Sequence, residues 1–193
     1  EKDTIPSLLF YGPSGVGKTT LAHVIANETD SRFVTLNAVT AGTAELRKVI
    51  AAAQDAIHLY QKRTILFIDE IHRFNKSQQD VLLPYVEDGT VILIGATTRS
   101  PWEINPAIRS RCAEIFFEPL VPSDIQTIVE NAAKELGAVL EDGASASSAP
   151  LRSKGARPSI FWLRYGLAVY KAGCKDGVVI TKDHIHRVSR SAA

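Results

Sequence analysis

The residues from Gly12 to Thr19 have the types and spacing of a loop that binds phosphate. They read Gly-Pro-Ser-Gly-Val-Gly-Lys-Thr, which fits G-x-x-x-x-G-K-[ST] between an apolar strand and an amphipathic helix. Glycines let the backbone approach phosphate oxygens, and the start of the following helix adds the positive end of its dipole. Lys18 is predicted to bind the terminal phosphates, and the Thr19 hydroxyl to bind Mg²⁺. The predicted binding residues are Gly12, Pro13, Ser14, Gly15, Val16, Gly17, Lys18, Thr19 and Thr20.

Two carboxylates, Asp69 and Glu70, follow the apolar run Ile65 to Ile68. The carboxyl ends of strands in open α/β sheets line the ligand crevice. Asp69 is therefore predicted to hold Mg²⁺, directly or through water, and Glu70 to polarise the water that attacks a γ-phosphate. In the alternative interpretation Asp69 caps a turn and Glu70 is solvated. The complete phosphate-binding loop upstream favours the catalytic interpretation.

Three further residues are candidates because of where they lie in the chain. Thr97 ends the apolar run that begins at Val91, and it is predicted to contact the γ-phosphate. Arg109 and Arg111 follow, and on an isolated domain both would be ordinary surface residues. In a ring of subunits, one of them would reach a neighbour's nucleotide and stabilise the charge of the transition state.

These residues need a scaffold, and the pattern of the chain up to about Phe117 predicts one. Short apolar runs alternate with helical patterns, which is typical of a doubly wound α/β core with a parallel sheet. The predicted strands are Leu8 to Tyr11, Phe33 to Leu36, Thr64 to Ile68, Val91 to Ile94, and Ile115 to Phe117. The predicted helices are Thr19 to Glu28, Ala44 to Gln61, and Lys76 to Glu87, the last capped by Asn75 or Ser77 and interrupted by Pro84.

The composition changes after Pro119, and the pattern becomes helical without strands. We predict an α/β core at residues 1–119 and a small α-helical lid at residues 120–193. The lid would begin with a helix capped by Ser123, and its Gly-, Ser- and Ala-rich stretch at residues 141–155 is predicted to be flexible.

Composition excludes several classes of protein. The 193 residues are 45% hydrophobic with a formal net charge of +1, so the chain is globular and does not bind nucleic acid through bulk charge. No apolar run approaches the roughly 18 residues that span a bilayer, and we expect no membrane partner. The two cysteines form no disulfide framework, which favours a reducing compartment. Because the chain lacks methionine, we expect a longer natural protein.

Taken together, the motifs resemble those of an AAA+ ATPase, a P-loop NTPase. Gly12 to Thr19 corresponds to Walker A and Leu66 to Glu70 to Walker B, while Thr97 is similar to sensor 1 and Ser110-Arg111-Cys112 to an arginine-finger motif. The resemblance implies ATP and Mg²⁺ as ligands and hydrolysis at the subunit interfaces of a homo-oligomeric ring. In that ring Arg111 would act on the neighbouring subunit, with Arg109 as the reserve finger.

A narrower resemblance covers about Ile5 to Leu120. The segments LLFYGPSGVGKTTLAHVIANE, TILFIDEIHRFNKSQQDVLLPYVEDGT, LIGATT and INPAIRSRC resemble the RarA/MgsA (WHIP) family of clamp-loader-related ATPases. HRFNKSQQD distinguishes the chain from the RuvB branch motor, which shares AHVIANE and IDEIHR. The resemblance implies action on DNA at stalled forks or single-strand gaps, replication proteins as partners, and a cytoplasmic, nucleoid-associated location.

The chain departs from this family after Ala-Thr-Thr, where it has Arg99-Ser100-Pro101 and the family usually has Glu-Asn-Pro. The segments ATTRSPWEINPAIRSRCAEIFFEPL and ITKDHIHRV also resemble the ATPase part of LonB-type proteases, whose substrate is unfolded protein. A second alternative is a nucleotide-binding scaffold with little turnover. The sensor-2 arginine of the lid has only Arg157 as a candidate, in a segment that fits the family pattern poorly. A reading-frame change there is one hypothesis, because codons for Pro158 to Leu163, read two bases later, can encode Val-Asn-Ile-Leu-Ala.

Overall fold

A computed structural model describes residues 5–135, 138–140 and 178–180. The chain divides into two compact units, the first formed by residues 1–12 and 17–117 and the second by residues 13–16 and 118–193. Within the described residues, no helix has the length and apolar character that a membrane span requires.

The first unit is built on a sheet of five parallel strands in the order β2-β3-β4-β1-β5. All five predicted apolar runs are strands, so the predicted α/β fold class is confirmed. The strands are β1 (Ser7–Tyr11), β2 (Arg32–Asn37), β3 (Thr64–Asp69), β4 (Val91–Thr97) and β5 (Cys112–Phe116). The sequence placed β5 later, at Ile115 to Phe117. The difference arises because β5 is an edge strand, paired only with β1, and its exposed Ala113 and Glu114 interrupt the apolar pattern.

Helices connect these strands, as expected for parallel neighbours. They are α1 (Lys18–Glu28), α2 (Thr43–Tyr60), α3 (Lys76–Glu87) and the single turn α4 (Pro106–Arg109). Asn75 is the N-cap of α3 in a reciprocal capping box with Gln78. Pro84 lies inside α3, and the helix continues through it to Glu87. The sequence did not predict α4 or the 3₁₀ turns Ile71–Arg73 and Pro101–Glu103.

Alternate residues of the central strands face opposite sides of the sheet. Both sets are buried, so these strands are covered on both faces. On one side Leu9, Leu66 and Leu93 pack with side chains of α2 and α3, including Ile50 and Leu82. A second buried cluster takes the other residues of the same strands and packs against α1. Its members include Phe10, Ile65, Phe67, Ile94, Ala22 and Ala26. The continuous apolar runs of the sequence are therefore explained by helices on both faces.

In the second unit, the described elements are α5 (Pro122–Glu135) and a parallel pair of short strands, β6 (Ala138–Leu140) and β7 (Val178–Ile180). The expectation of a lid without strands is therefore wrong in this part of the chain. The two strands have three residues each, too few for a periodicity to reveal them.

Ser123 is not the cap of α5, because the helix begins one residue earlier at Pro122, a residue that favours the first helical position. The Asp124 carboxylate instead accepts a hydrogen bond from the backbone N–H of Val121 at 3.0 Å. Arg157, the stretch at residues 141–155 and the hypothesis of a frame change near Pro158 lie outside the described residues, and the division at residue 119 stays a prediction.

Candidate active site

The carboxyl ends of β1, β3 and β4 lie side by side because the three strands are parallel and adjacent. Tyr11 at the end of β1 is in register with Thr97 at the end of β4, and Ile68 near the end of β3 is in register with Gly95 of β4. Past the end of β1, the Gly12 N–H donates to the Thr97 carbonyl at 3.3 Å. The sheet therefore brings the start of the phosphate-binding loop, the acidic pair and Thr97 to one edge.

The backbone of the loop has the conformations that its glycines permit. Gly12, Gly15 and Gly17 have φ values of 146°, 77° and 103°, a region that residues with a Cβ rarely adopt. At Gly12 an added Cβ would also lie 2.3 Å from the Phe117 carbonyl oxygen. The glycine pattern read from the sequence thus has a steric reason at Gly12 and a conformational one at Gly17, where a Cβ would meet no atom within 4 Å.

Lys18 is the first residue of α1, and its side chain is turned back along the loop. It is only 8% exposed, and its Nζ donates to the Gly12 carbonyl at 2.8 Å. Thr19 and Thr20 follow in the first turn of the same helix, where backbone N–H groups have no intrahelical acceptor. The start of α1 therefore combines an ammonium group with the positive end of a helix dipole, which fits a phosphate ligand.

The acidic pair lies where β3 ends, and its second residue, Glu70, has an uncommon backbone conformation. Asp69 is the last residue of the strand, and its Oδ1 accepts a hydrogen bond from the Glu70 N–H at 3.1 Å. Glu70 has a φ of 53°, in the left-handed region that non-glycine residues seldom occupy. Such strain is concentrated at functional sites, where the surrounding structure holds it in place.

Two groups contact the Glu70 carboxylate. The Thr98 hydroxyl lies 3.1 Å from its Oε2 and 3.3 Å from its Oε1, and the Nδ1 of His72 lies 3.3 Å from Oε2. The sequence missed both partners. The signal for Thr98 was the pair Thr97-Thr98 at a strand end, where successive side chains point to opposite faces. His72 had no signal beyond its nearness to the acidic pair.

Thr97 lies at the end of β4, between the strands that lead to the phosphate-binding loop and to the acidic pair. Its side chain is fully buried, and its hydroxyl oxygen accepts a hydrogen bond from the Arg99 N–H at 3.0 Å. The Nδ1 of His72 lies 2.9 Å from the same oxygen. Thr98 is the exposed member of the pair and lies beside Glu70. A direct contact of Thr97 with phosphate stays a prediction.

The oxygen groups at this edge fit a magnesium ion that arrives with a nucleotide. Within the described residues, no three His, Cys, Asp or Glu side chains are grouped as a metal site. Mg²⁺ does not need such a cage, because it is commonly bound through one or two protein oxygens together with water and substrate phosphates. The Thr19 hydroxyl and the Asp69 carboxylate are the oxygens predicted for that role.

The two candidate arginines have distinct contacts. Arg109 is 17% exposed; its guanidinium stacks 3.6 Å from the ring centroid of Trp102, and its Nε lies 3.1 Å from a Glu114 oxygen. Arg111 is 38% exposed, pairs with Glu87 at the end of α3, and donates to the Ala107 carbonyl at 2.6 Å. Arg109 is thus the more buried of the two, and the role of either arginine toward a neighbouring subunit stays a prediction.

Cys112 lies beside these arginines in the sequence, and its environment excludes a nucleophilic role. Burial, and to a lesser extent the Glu114 carboxylate, raise the pKa of its thiol to about 12. The thiol is therefore protonated at neutral pH, whereas the thiolate is the reactive species.

Comparison with a family model and with curated proteins gives consistent matches. The model described as "ATPase family associated with various cellular activities (AAA)" matches residues 8–120. The Replication-associated recombination protein A of Haemophilus influenzae is 46% identical over 132 residues, 68% of this chain and 29% of that protein. The ATPase WRNIP1 of Dictyostelium discoideum is 46% identical over 127 residues, 65% of this chain and 14% of that protein.

Among solved structures, the Thermotoga maritima RuvB Holliday junction branch migration motor matches with a TM-score of 0.74 and 27% identity, over 97% of this chain and 62% of that one. The chain spans less than a third of the length of the two curated relatives.

Proposed function

Because the chain belongs to the AAA family of ATPases, we propose that it binds ATP with Mg²⁺ and hydrolyses it to ADP and phosphate, with water attacking the γ-phosphorus and ADP leaving. The observation that carries the proposal is the convergence at one edge of the sheet. The end of β1 leads into the glycine loop and Lys18. The end of β3 carries the carboxylates of Asp69 and Glu70, and the end of β4 carries the hydroxyls of Thr97 and Thr98. These are the parts that phosphoryl transfer to water requires.

Each group has a role that its position and chemistry support. The backbone from Gly12 to Gly17 and the ammonium group of Lys18 bind the phosphates. The Thr19 hydroxyl and the Asp69 carboxylate hold the metal, which when bound neutralises charge on the phosphate oxygens. Glu70 accepts a hydrogen bond from the attacking water and draws off its proton as the water approaches phosphorus. Arg111 of one subunit stabilises the transition state in the next.

We extend the proposal to the substrate of the whole protein, which is DNA at replication or recombination intermediates. The relatives that match at 43–46% identity are named Replication-associated recombination protein A or ATPase WRNIP1. The solved structure named above is a Holliday junction branch migration motor. A homo-oligomeric ring associated with the nucleoid is part of the same proposal, since Arg111 needs a neighbouring subunit.

The test is the ATPase rate of the full chain with forked DNA, gapped DNA, or the unfolded protein casein. We expect DNA to stimulate turnover several-fold and casein to leave it unchanged. The control is Lys18→Ala, which removes the ammonium group that binds phosphate and should abolish turnover under every condition. Stimulation by casein alone would instead support the Lon-like alternative. Tight ATP binding without turnover would support the scaffold, and either result contradicts the proposal.

A further inference from the structure

His72 is a mostly buried histidine that the proposed mechanism does not yet use. It lies in the 3₁₀ turn that follows Glu70, and its side chain is 7% exposed compared with 28% for Glu70. Its Nδ1 lies 2.9 Å from the Thr97 hydroxyl oxygen and 3.3 Å from the Glu70 Oε2. A single nitrogen atom therefore contacts functional groups at the ends of two neighbouring strands, β3 and β4.

The contact with Glu70 favours the tautomer of His72 that carries its hydrogen on Nδ1. A carboxylate only accepts hydrogen bonds, so an attractive contact with Glu70 requires a hydrogen on Nδ1. The Thr97 oxygen already accepts from the Arg99 N–H at 3.0 Å, and a hydroxyl has a second lone pair for the Nδ1–H. In that tautomer the single Nδ1–H faces two acceptors, the Thr97 hydroxyl oxygen at 2.9 Å and the more distant Glu70 Oε2 at 3.3 Å.

The network continues from Thr97 into the phosphate-binding loop. The Thr97 carbonyl accepts a hydrogen bond from the Gly12 N–H at 3.3 Å, and the Gly12 carbonyl accepts one from Lys18 Nζ at 2.8 Å. A continuous series of contacts thus runs from the Glu70 carboxylate through His72 and Thr97 to the lysine predicted to bind phosphate. His72 is the member that joins the two halves of this series.

We propose that His72 is a positioning residue for ATP hydrolysis, whose Nδ1–H holds the Glu70 carboxylate against the end of β4 and couples it to the phosphate-binding loop. This inference rests on the proposed function. Glu70 has the backbone strain of a positive φ, and such strain persists where surrounding contacts hold the residue in place. Without His72, the described contact that remains on that carboxylate is the Thr98 hydroxyl.

The first variant is His72→Leu in the full chain, which fills the space without a donor. Misplacement of a reacting group by about 1 Å costs up to about 100-fold in rate, so we expect kcat to fall about 10- to 100-fold. The KM for ATP should change less than about threefold, because Lys18 and the loop backbone still bind the phosphates. ATP affinity and the denaturation midpoint are measured alongside, and the exposed neighbour Arg73→Ala is the control in the same turn.

Two conservative variants separate positioning from mere packing. Asn carries its amide N–H on Cγ, as histidine carries Nδ1, whereas Gln places the amide one bond further out. His72→Asn should therefore recover most of kcat and His72→Gln should not. In a Glu70→Gln background, His72→Leu should lower turnover no further, because residues that act as a unit are not additive.

The possible outcomes distinguish this inference from the function on which it rests. Wild-type kcat in His72→Leu, equal loss in the Asn and Gln variants, or weakened ATP binding matching the loss of turnover would overturn the role of His72 alone. A wild-type chain that binds ATP and never hydrolyses it would instead remove the proposed function, and the inference with it.

Discussion

At the scale of single residues, Glu70 carries the chemistry of the proposed site. It occupies a left-handed conformation directly after the buried strand β3, and Thr98 and His72 contact its carboxylate. The conformation costs on the order of 1–3 kcal/mol for a residue that is not glycine. Glu70 combines a strained backbone with a carboxylate that contacts two polar neighbours. This combination is more consistent with a catalytic residue than with a solvated turn.

Replacing Glu70 with glutamine keeps the size of the side chain and removes its ability to take a proton. We expect Glu70→Gln to lower kcat by about 10²- to 10⁴-fold, the range for loss of a general base. ATP affinity should stay near that of the wild-type chain, because Lys18 and the loop are intact. Stopped-flow binding of a fluorescent ATP analogue and steady-state phosphate release measure the two quantities. Turnover at the wild-type rate would contradict the role assigned to Glu70.

The sequence predicted the residues of this site better than their contacts. Lys18, Asp69 and Glu70 were predictable because their motifs have fixed spacing. The different environments of Thr97, which is buried, and Thr98, which contacts Glu70, were not predictable. They depend on the direction of each side chain at the end of β4. The role of His72 depends on a contact with Thr97, 25 positions further along the chain, at 2.9 Å. Sequence periodicity contains no information about such a contact.

At the scale of elements, side chains of α3 form hydrogen bonds with Asn105, the residue that precedes α4 and the two arginines. Gln79 of α3 is buried; its Nε2 donates to the Phe74 carbonyl at 2.8 Å, and its Oε1 accepts from the Asn105 N–H at 2.8 Å. The Asn105 side-chain amide also donates to Asp80 at 2.6 Å. The Gln79 side chain thus satisfies one backbone group just before α3, at Phe74, and another just before α4, at Asn105.

Replacing Gln79 with leucine preserves much of its volume and removes both of these hydrogen bonds. Two backbone groups lose their partner, so we expect the free energy of unfolding to fall by about 2–4 kcal/mol. Urea denaturation followed by circular dichroism measures the change. The control is Ser77→Ala at an exposed position of the same helix, which should stay within about 0.5 kcal/mol of the wild-type chain. Equal stability of the two variants would show that these hydrogen bonds do not stabilise the chain.

The elements themselves were largely predictable because most are long or fully apolar. The three central strands, β3, β4 and β1, pair on both sides and were predictable as continuous apolar runs. The cap at Asn75 was one of two candidates. Short elements were missed for the opposite reason. The four-residue α4 and the three-residue strands β6 and β7 depend on tertiary contacts rather than on local pattern.

At the scale of the whole molecule, the near neutrality of the chain is compatible with the proposed action on DNA. The formal net charge of +1 excludes binding through bulk charge. A ring presents several copies of any local basic group, so contacts with DNA need not appear in the charge of one subunit.

The proposed assembly also requires Arg111 to act outside its own subunit. In the isolated chain its guanidinium pairs with Glu87, and the two side chains are 38% and 49% exposed. An exposed ion pair contributes about 0–1 kcal/mol, so a neighbouring subunit needs little free energy to displace Glu87. Arg111 can therefore be held in place before assembly and still be free to change partner.

Mixing two inactive variants tests hydrolysis at subunit interfaces most directly. Glu70→Gln subunits retain Arg111, and Arg111→Ala subunits retain Glu70, so each variant alone should show almost no turnover. After co-assembly at equal amounts, about one interface in four combines an intact Glu70 with a neighbour's intact Arg111, and we expect turnover near a quarter of the wild-type rate. Arg111→Ala subunits that hydrolyse ATP alone at the wild-type rate, or mixtures as inactive as their components, would contradict the account.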